Sequence, residues 1–207
     1  MKCSGALFDL DGVLVDSESL YTRFWSEMEE RFPTGDPNYA VNIKGMTLTK
    51  ILGNYPEAQR PAVVQAIHDF EQTMVYPVMP GVNDFLAELR REGIPTAIVT
   101  SSDNVKMAYL FGQHPDFKEY FDVIIDGSMV SRSKPHPEGY LRAAAAVGAD
   151  PSDCLVFEDS IQGLQAARAS GARVVGLATT FPREKISPLA DIVIDSFVGL
   201  KINDLAI

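Results

Sequence analysis

Cysteine, histidine and clustered basic residues are all scarce in this chain. Of 207 residues only two are cysteines and three are histidines. Cys3 and Cys154 form no CxxC pair, which argues against a disulfide or zinc framework and fits a reducing cytoplasm, the expected location. His68, His114 and His136 are dispersed and receive no ligand role. There are 18 lysines and arginines against 28 acidic residues, a formal net charge of -10. With no long basic run, the protein's field repels polyanions, so nucleic acid is not an expected partner. No apolar stretch approaches the roughly 20 residues of a membrane helix. The first apolar segment is cut by Asp9 too early for a secretory signal. No membrane association is expected, and no internal repeat or low-complexity segment stands out.

What the chain does have is rhythm. Hydrophobic residues make up 46%, enough for a sizeable core. Short apolar runs occupy residues 6–10, 96–100, 123–126, 155–158, 174–177 and 192–194. Most are rich in Val and Ile and continuously apolar, as expected of strands covered on both faces. Helical patterns lie between them at 82–92, 138–147 and 161–170, punctuated by Gly93, Gly148 and Gly171. This alternation predicts an α/β fold, a Rossmann-like parallel sheet flanked by helices. Residues 17–76 break the rhythm. Leu20, Phe24, Trp25, Met28 and Phe32 recur at helical spacing, with further helices suggested at 48–52 and 62–74. A small helical cap domain, 17–76, is therefore expected as an insert after the first strand, the core domain comprising 1–16 and 77–207. The Trp25 stripe is expected to pack a core.

Ligands of open α/β sheets bind beyond the carboxyl ends of the strands. The residues that follow the runs are thus the candidates. They are Asp9 and Asp11, then Thr100 and Ser101, then Lys134, then Glu158 and Asp159. Each has a plain structural reading: a turn, helix N-caps, a solvated lysine. Jointly they describe chemistry. Carboxylates from two strand ends are hard oxygen ligands for Mg²⁺. Lys134 and the metal would offset the repulsion between carboxylate and phosphate, with the Thr100 hydroxyl and backbone N–H groups completing a cradle. One carboxylate could then attack phosphorus. A second acid two residues away, the Asp9–Asp11 spacing, could protonate the leaving oxygen and activate water. Glu158-Asp159 would be mutually repulsive without a cation.

Asp9-Leu10-Asp11-Gly12-Val13-Leu14-Val15-Asp16 resembles the first motif of the haloacid-dehalogenase-like (HAD) hydrolases. Thr100-Ser101-Ser102 resembles their second motif, Lys134-Pro135 the third, and Glu158-Asp159-Ser160 with Gly163 the fourth. The likeness spans nearly the whole chain and is nearest to the β-phosphoglucomutase and phosphoglycolate-phosphatase subgroup. It implies Asp9 as nucleophile and metal ligand, and Asp11 as general acid/base that meets the metal through its backbone carbonyl. Thr100, Ser101 and Lys134 would hold the phosphoryl group. Asp159 would be a ligand, and Glu158 a ligand or a partner behind the ligands. Lys44, in a segment like the cap loop that reaches the site, would touch substrate. The expected partner is a small phosphorylated metabolite, the expected state a monomer or weak dimer. The subgroup's mutases carry a histidine where this chain has Tyr21 and an arginine where it has Leu48. The loss of that bidentate anion contact favours a phosphatase over a mutase. A silent phosphate-binding protein is the remaining alternative.

Overall fold

The computed structural model describes residues 3–205. Six parallel strands form one sheet in the order β3-β2-β1-β4-β5-β6: β1 (Gly5–Phe8), β2 (Thr96–Val99), β3 (Val123–Ile125), β4 (Cys154–Glu158), β5 (Arg173–Leu177) and β6 (Ile192–Ile194). The α/β, Rossmann-like parallel sheet expected from the apolar runs is what forms. Its strands are apolar on both sides because helices cover both. Ala6, Phe8, Ile98, Leu155 and Phe157 pack with Val82, Phe85, Leu86 and Leu89 of α5 (Val82–Arg91) and with Met107 and Leu110 of α6 (Asn104–Gln113). The alternate residues Leu7, Ala97, Val99 and Val156 face α7 (Glu138–Ala146) and α8 (Ile161–Ser170). That alternation is the pleat itself, with period 2. A short α9 (Arg183–Ile186) buries Ile186 against the same face.

Before α5, four α-helices, one 3₁₀ turn (Glu57–Gln59) and no strand occupy the span from β1 onward: α1 (Glu18–Arg31), α2 (Tyr39–Asn42), α3 (Leu48–Leu52) and α4 (Arg60–Thr73). They bury a cluster of their own, Phe24, Trp25, Met28, Tyr39, Ile51, Val63 and Ile67 among it. Trp25 sits edge-on to Phe24 and Tyr39, so the stripe packs. The helix α6 has no counterpart among the helices read from sequence, although Asp103 caps it by accepting bonds from the Val105 and Lys106 N–H groups.

Strand order decides where a site can form. The chain leaves β1 for β2 on one side, while β4 lies on the other. Connections therefore diverge between β1 and β4, opening a crevice at their carboxyl ends. Beneath that crevice Phe8 and Phe157 stack at 4.5 Å, with Phe85 edge-on to both. Phe85→Ala would remove the α5 side of this cluster and leave a cavity. It should cost about 3–5 kcal/mol in urea unfolding; a loss under about 1 kcal/mol would mean that α5 is not anchored there.

Candidate active site

Asp9 follows β1, and Glu158 and Asp159 close β4, so adjacent strands bring three carboxylates together. One oxygen from each lies within 4.8 Å of the others. Lys134 comes from the loop between β3 and α7. Its ammonium donates to Asp9 Oδ1 at 2.8 Å, to Glu158 Oε1 and to the Val99 carbonyl at 3.3 Å. Burial alone would lower the Lys134 ammonium, but Asp9 and Glu158 beside it hold it above its ordinary value. Burial pushes Asp9 up to about 7; Lys134 works against that rise and Glu158 adds to it.

The two acids at the end of β4 differ. Glu158 is saturated. Its Oε1 accepts from Lys134 and, at 2.8 Å, from the Tyr140 hydroxyl; its Oε2 accepts from the Asp159 and Ser160 N–H groups and the Ser160 hydroxyl. Ser160 in turn caps α8 through Gly163 N. A Cβ on Gly163 would collide with the Glu158 carboxylate. Asp159 is the opposite. Both its oxygens are buried and have no hydrogen-bond partner among the described residues. Burial, then the charges of Glu18, Glu158 and Asp9, drive its carboxyl well above the usual range. The Thr180 hydroxyl nearby works against that rise without a well-formed bond to the carboxylate, and a buried carboxylate so placed calls for a cation. Gly12, at φ 76°, lets the first loop pass against Asp159, where a Cβ would strike the carboxylate. Among the described residues no group donates to the Asp11 carbonyl either. The donor set, all hard oxygens, suits a small divalent ion.

The Asp11 side chain turns away from this cluster. Its oxygens both accept from Lys106 Nζ at 2.5 Å, Oδ2 also from Ser102 Oγ at 3.0 Å, and Oδ1 from the Ser17 hydroxyl. Burial would raise Asp11, but the Lys106 charge and these bonds outweigh it and hold the carboxyl below its ordinary value. Lys106 is 1% exposed and lies over the Tyr21 ring at 4.4 Å. Neither Lys106 nor Tyr140 was marked by sequence reasoning. Asp103 as an N-cap would have revealed α6, and with it Lys106 on the face toward the sheet.

A cavity of about 740 Å³, open mouth included, lies over Asp9 and Asp11. Thr100, Ser101 and Lys44 line it, with Trp25, Met46, Leu48 and Ile51 forming an apolar wall. The Thr100 hydroxyl accepts from Ser102 N at 3.0 Å. Lys44 is ion-paired with Glu18 rather than free. The span that carries Lys44 is tied to loops beyond the strand ends and to α8: Ser101 Oγ donates to the Gly45 carbonyl at 2.7 Å, Thr47 N to Ser133 Oγ at 3.0 Å and Gln162 Nε2 to the Asn42 carbonyl at 2.9 Å. Asp9, Asp11, Lys44, Thr100, Ser101, Lys134, Glu158 and Asp159 thus lie around one crevice.

Across residues 3–171 the chain matches the family model described as haloacid dehalogenase-like hydrolase. It is 31% identical to hexitol phosphatase A of Escherichia coli (strain K12), covering 86% of this chain and 84% of that protein. It is 27% identical to the bifunctional riboflavin kinase/FMN phosphatase of Arabidopsis thaliana over 96% of this chain, which spans only 55% of that longer relative. A crystal structure of CbbY from Rhodobacter sphaeroides in complex with xylulose-(1,5)bisphosphate superposes with a TM-score of 0.79 at 25% identity, covering 96% of each chain.

Glu71, on α4, is the cavity's remaining acid of note. Burial pushes its carboxyl up to about 7; Lys106 and the Tyr21 hydroxyl pull it down, and Asp103 and Asp11 push it up. A carboxyl raised in the folded state contributes stability that is complete below its ordinary value of 4.5 and is lost as pH rises through about 7. Glu71→Gln cannot ionise. Between about pH 5 and about pH 8 it should lose up to about 3 kcal/mol less stability than the wild type. Parallel stability–pH curves in denaturant titrations would contradict the shift.

Proposed function

The chain belongs to the haloacid dehalogenase-like hydrolase family, and from that premise we propose that it is a Mg²⁺-dependent phosphatase. It hydrolyses a small phosphomonoester, a sugar phosphate or similar metabolite, through an aspartyl-phosphate on Asp9. The observation that carries this reading is the unpartnered, fully buried Asp159 carboxylate beside Asp9 and the Lys134 ammonium. The hexitol phosphatase relative supports the choice of reaction.

Asp9, Asp159 and the Asp11 carbonyl would hold the ion, with Glu158 behind them fixing Lys134 and the start of α8. Bound there, Mg²⁺ would supply the positive charge that lets a carboxylate approach a phosphoryl group. Lys134 and the Thr100 hydroxyl hold the phosphoryl oxygens, and Ser101 contributes through its backbone. Asp9 attacks phosphorus, and the leaving oxygen takes the proton of Asp11. The freed Asp11 carboxylate then removes a proton from water, which attacks the aspartyl-phosphate and releases Asp9 and inorganic phosphate. Lys106 favours the ionised form of Asp11, the form that activates water; to donate in the first step Asp11 must take up a proton and give up its pairing with Lys106. The helical segment 17–76 acts as the cap over this chemistry, opening to exchange product.

The mutase reading needs a clamp for a second phosphate. Of the two lysines lining the cavity, Lys44 is spent on Glu18 and Lys106 on Asp11. Leu48 lies in the apolar wall and Tyr21 donates to Glu71 at 2.8 Å. These observations favour hydrolysis.

Phosphate release from p-nitrophenyl phosphate should require Mg²⁺, stop in EDTA and vanish in Asp9→Asn. Asp11→Asn should lower kcat by roughly 100-fold or more yet bind Mg²⁺ nearly as the wild type does, since its carbonyl persists. Asp159→Asn should lose most Mg²⁺ affinity. Turnover surviving EDTA, or equal metal loss in the two variants by calorimetry, would overturn the assignment.

A further inference from the structure

The cap-side end of the cavity holds an acid that the proposed reaction leaves unused. Glu71 is 5% exposed and lines the cavity with Asp11 and Lys106. Tyr21 on α1 donates to its Oε1. Among the described residues nothing donates to its Oε2, and no cation lies within ion-pair distance. A buried acceptor, oriented by a second helix and left open toward a cavity, is built to receive a donor.

The charge around it points the same way. Asp9, Asp11, Glu18, Glu71 and Asp103 line the cavity against Lys44 and Lys106 alone. Both lysines are paired with acids, and Asp103 meets His68 at 3.1 Å while capping α6. Lys134 pairs with Asp9, and a metal bound there would answer for Asp159. Among the described residues Glu71 is the cavity acid with no direct ion pair: Lys106, whose charge reaches it, is bonded to Asp11, and His68 beside it is bonded to Asp103. A second phosphate or a carboxylate on the substrate would enter low-dielectric space facing a like charge, whereas a hydroxyl would complete the carboxylate's hydrogen bonding. The apolar wall of Trp25, Leu48 and Ile51 gives a carbon skeleton its packing surface.

We propose that Glu71 is a specificity-determining residue whose open oxygen accepts a hydrogen bond from a leaving-group hydroxyl and repels a second anion. The substrate is then the monophosphate of a neutral polyol or sugar, not a bisphosphate or a phosphorylated acid. This rests on the phosphatase reading above.

The test is kcat/KM at about pH 8, where Glu71 is mostly ionised, with saturating Mg²⁺, for a hexitol monophosphate, the corresponding hexose bisphosphate, phosphoglycolate and p-nitrophenyl phosphate. The wild type should prefer the hexitol ester over both substrates that carry a second anionic group by about 100-fold or more. Glu71→Leu should lower the hexitol value relative to the aryl value by roughly 10- to 100-fold, the size of a hydrogen bond to a charged acceptor. Glu71→Gln, which keeps an acceptor and removes the charge, should narrow the discrimination against the bisphosphate by about 10-fold or more. Wild-type turnover of the aryl ester together with a preference for bisphosphate or phosphoglycolate would overturn the inference and leave the phosphatase reading standing. An unchanged hexitol-to-aryl ratio in Glu71→Leu would reduce Glu71 to a packing residue. No turnover of any of the four esters would sink the phosphatase reading itself. Should Glu71→Leu fail to fold, the wild-type panel and Glu71→Gln still decide.

Discussion

The buried ammonium of Lys134 is the group on which the rest of the site depends. It joins Asp9 at the end of β1 to Glu158 at the end of β4, and so bridges the two strands between which the crevice opens. Remove it and two carboxylates remain in a space that excludes water, the circumstance in which breaking a buried pair costs about 3–5 kcal/mol. Glu158 passes the constraint on. Its second oxygen gathers the Asp159 and Ser160 N–H groups and so fixes the first turn of α8. Among the described residues, Asp159 is the carboxylate of the three left without a bonded donor. One lysine thereby sorts three neighbouring acids into a paired nucleophile candidate, a saturated support and an open ligand.

Asp11 lies outside this arrangement and has a lysine of its own. Two separate ammonium groups serve two aspartates only two positions apart, so each can have a distinct proton affinity. Asp9 is pushed upward by burial, while Asp11 is held down mainly by Lys106. A cation held against Asp9 would counter the first shift and keep the nucleophile ionised. Once Lys106 is committed to Asp11 and Lys44 to Glu18, no unpaired cation among the described residues that line the cavity is left for a second anionic group.

The sheet was legible in the sequence because strands buried on both faces are written as continuous apolar runs. All six runs form strands, with ends shifted by at most two residues. The strand-end residues could be read because the position of a ligand crevice follows from topology. What escaped was whatever only burial and pairing reveal. Lys106 reads as an ordinary surface lysine until α6 turns it under the Tyr21 ring. Tyr140 reads as one more apolar contact of α7, and its bond to Glu158 depends on how that helix docks. Glu158 and Asp159 are adjacent acids that sequence cannot tell apart. Their difference lies in which one the α8 N-terminus captures. Glu71 is a polar residue on a packing helix, and its isolation is a property of the assembled cavity.

The central claim is that Asp9 becomes phosphorylated. Rapid quench of Asp11→Asn, in which breakdown of the intermediate is slowed, with substrate labelled in its phosphoryl group, followed by peptide mapping, addresses it directly. The predicted result is an acid-stable, base-labile label on the peptide that contains Asp9, and none when Asp9→Asn is added to the same variant. Label on a different residue, or a label that persists without the Asp9 carboxylate, would contradict it.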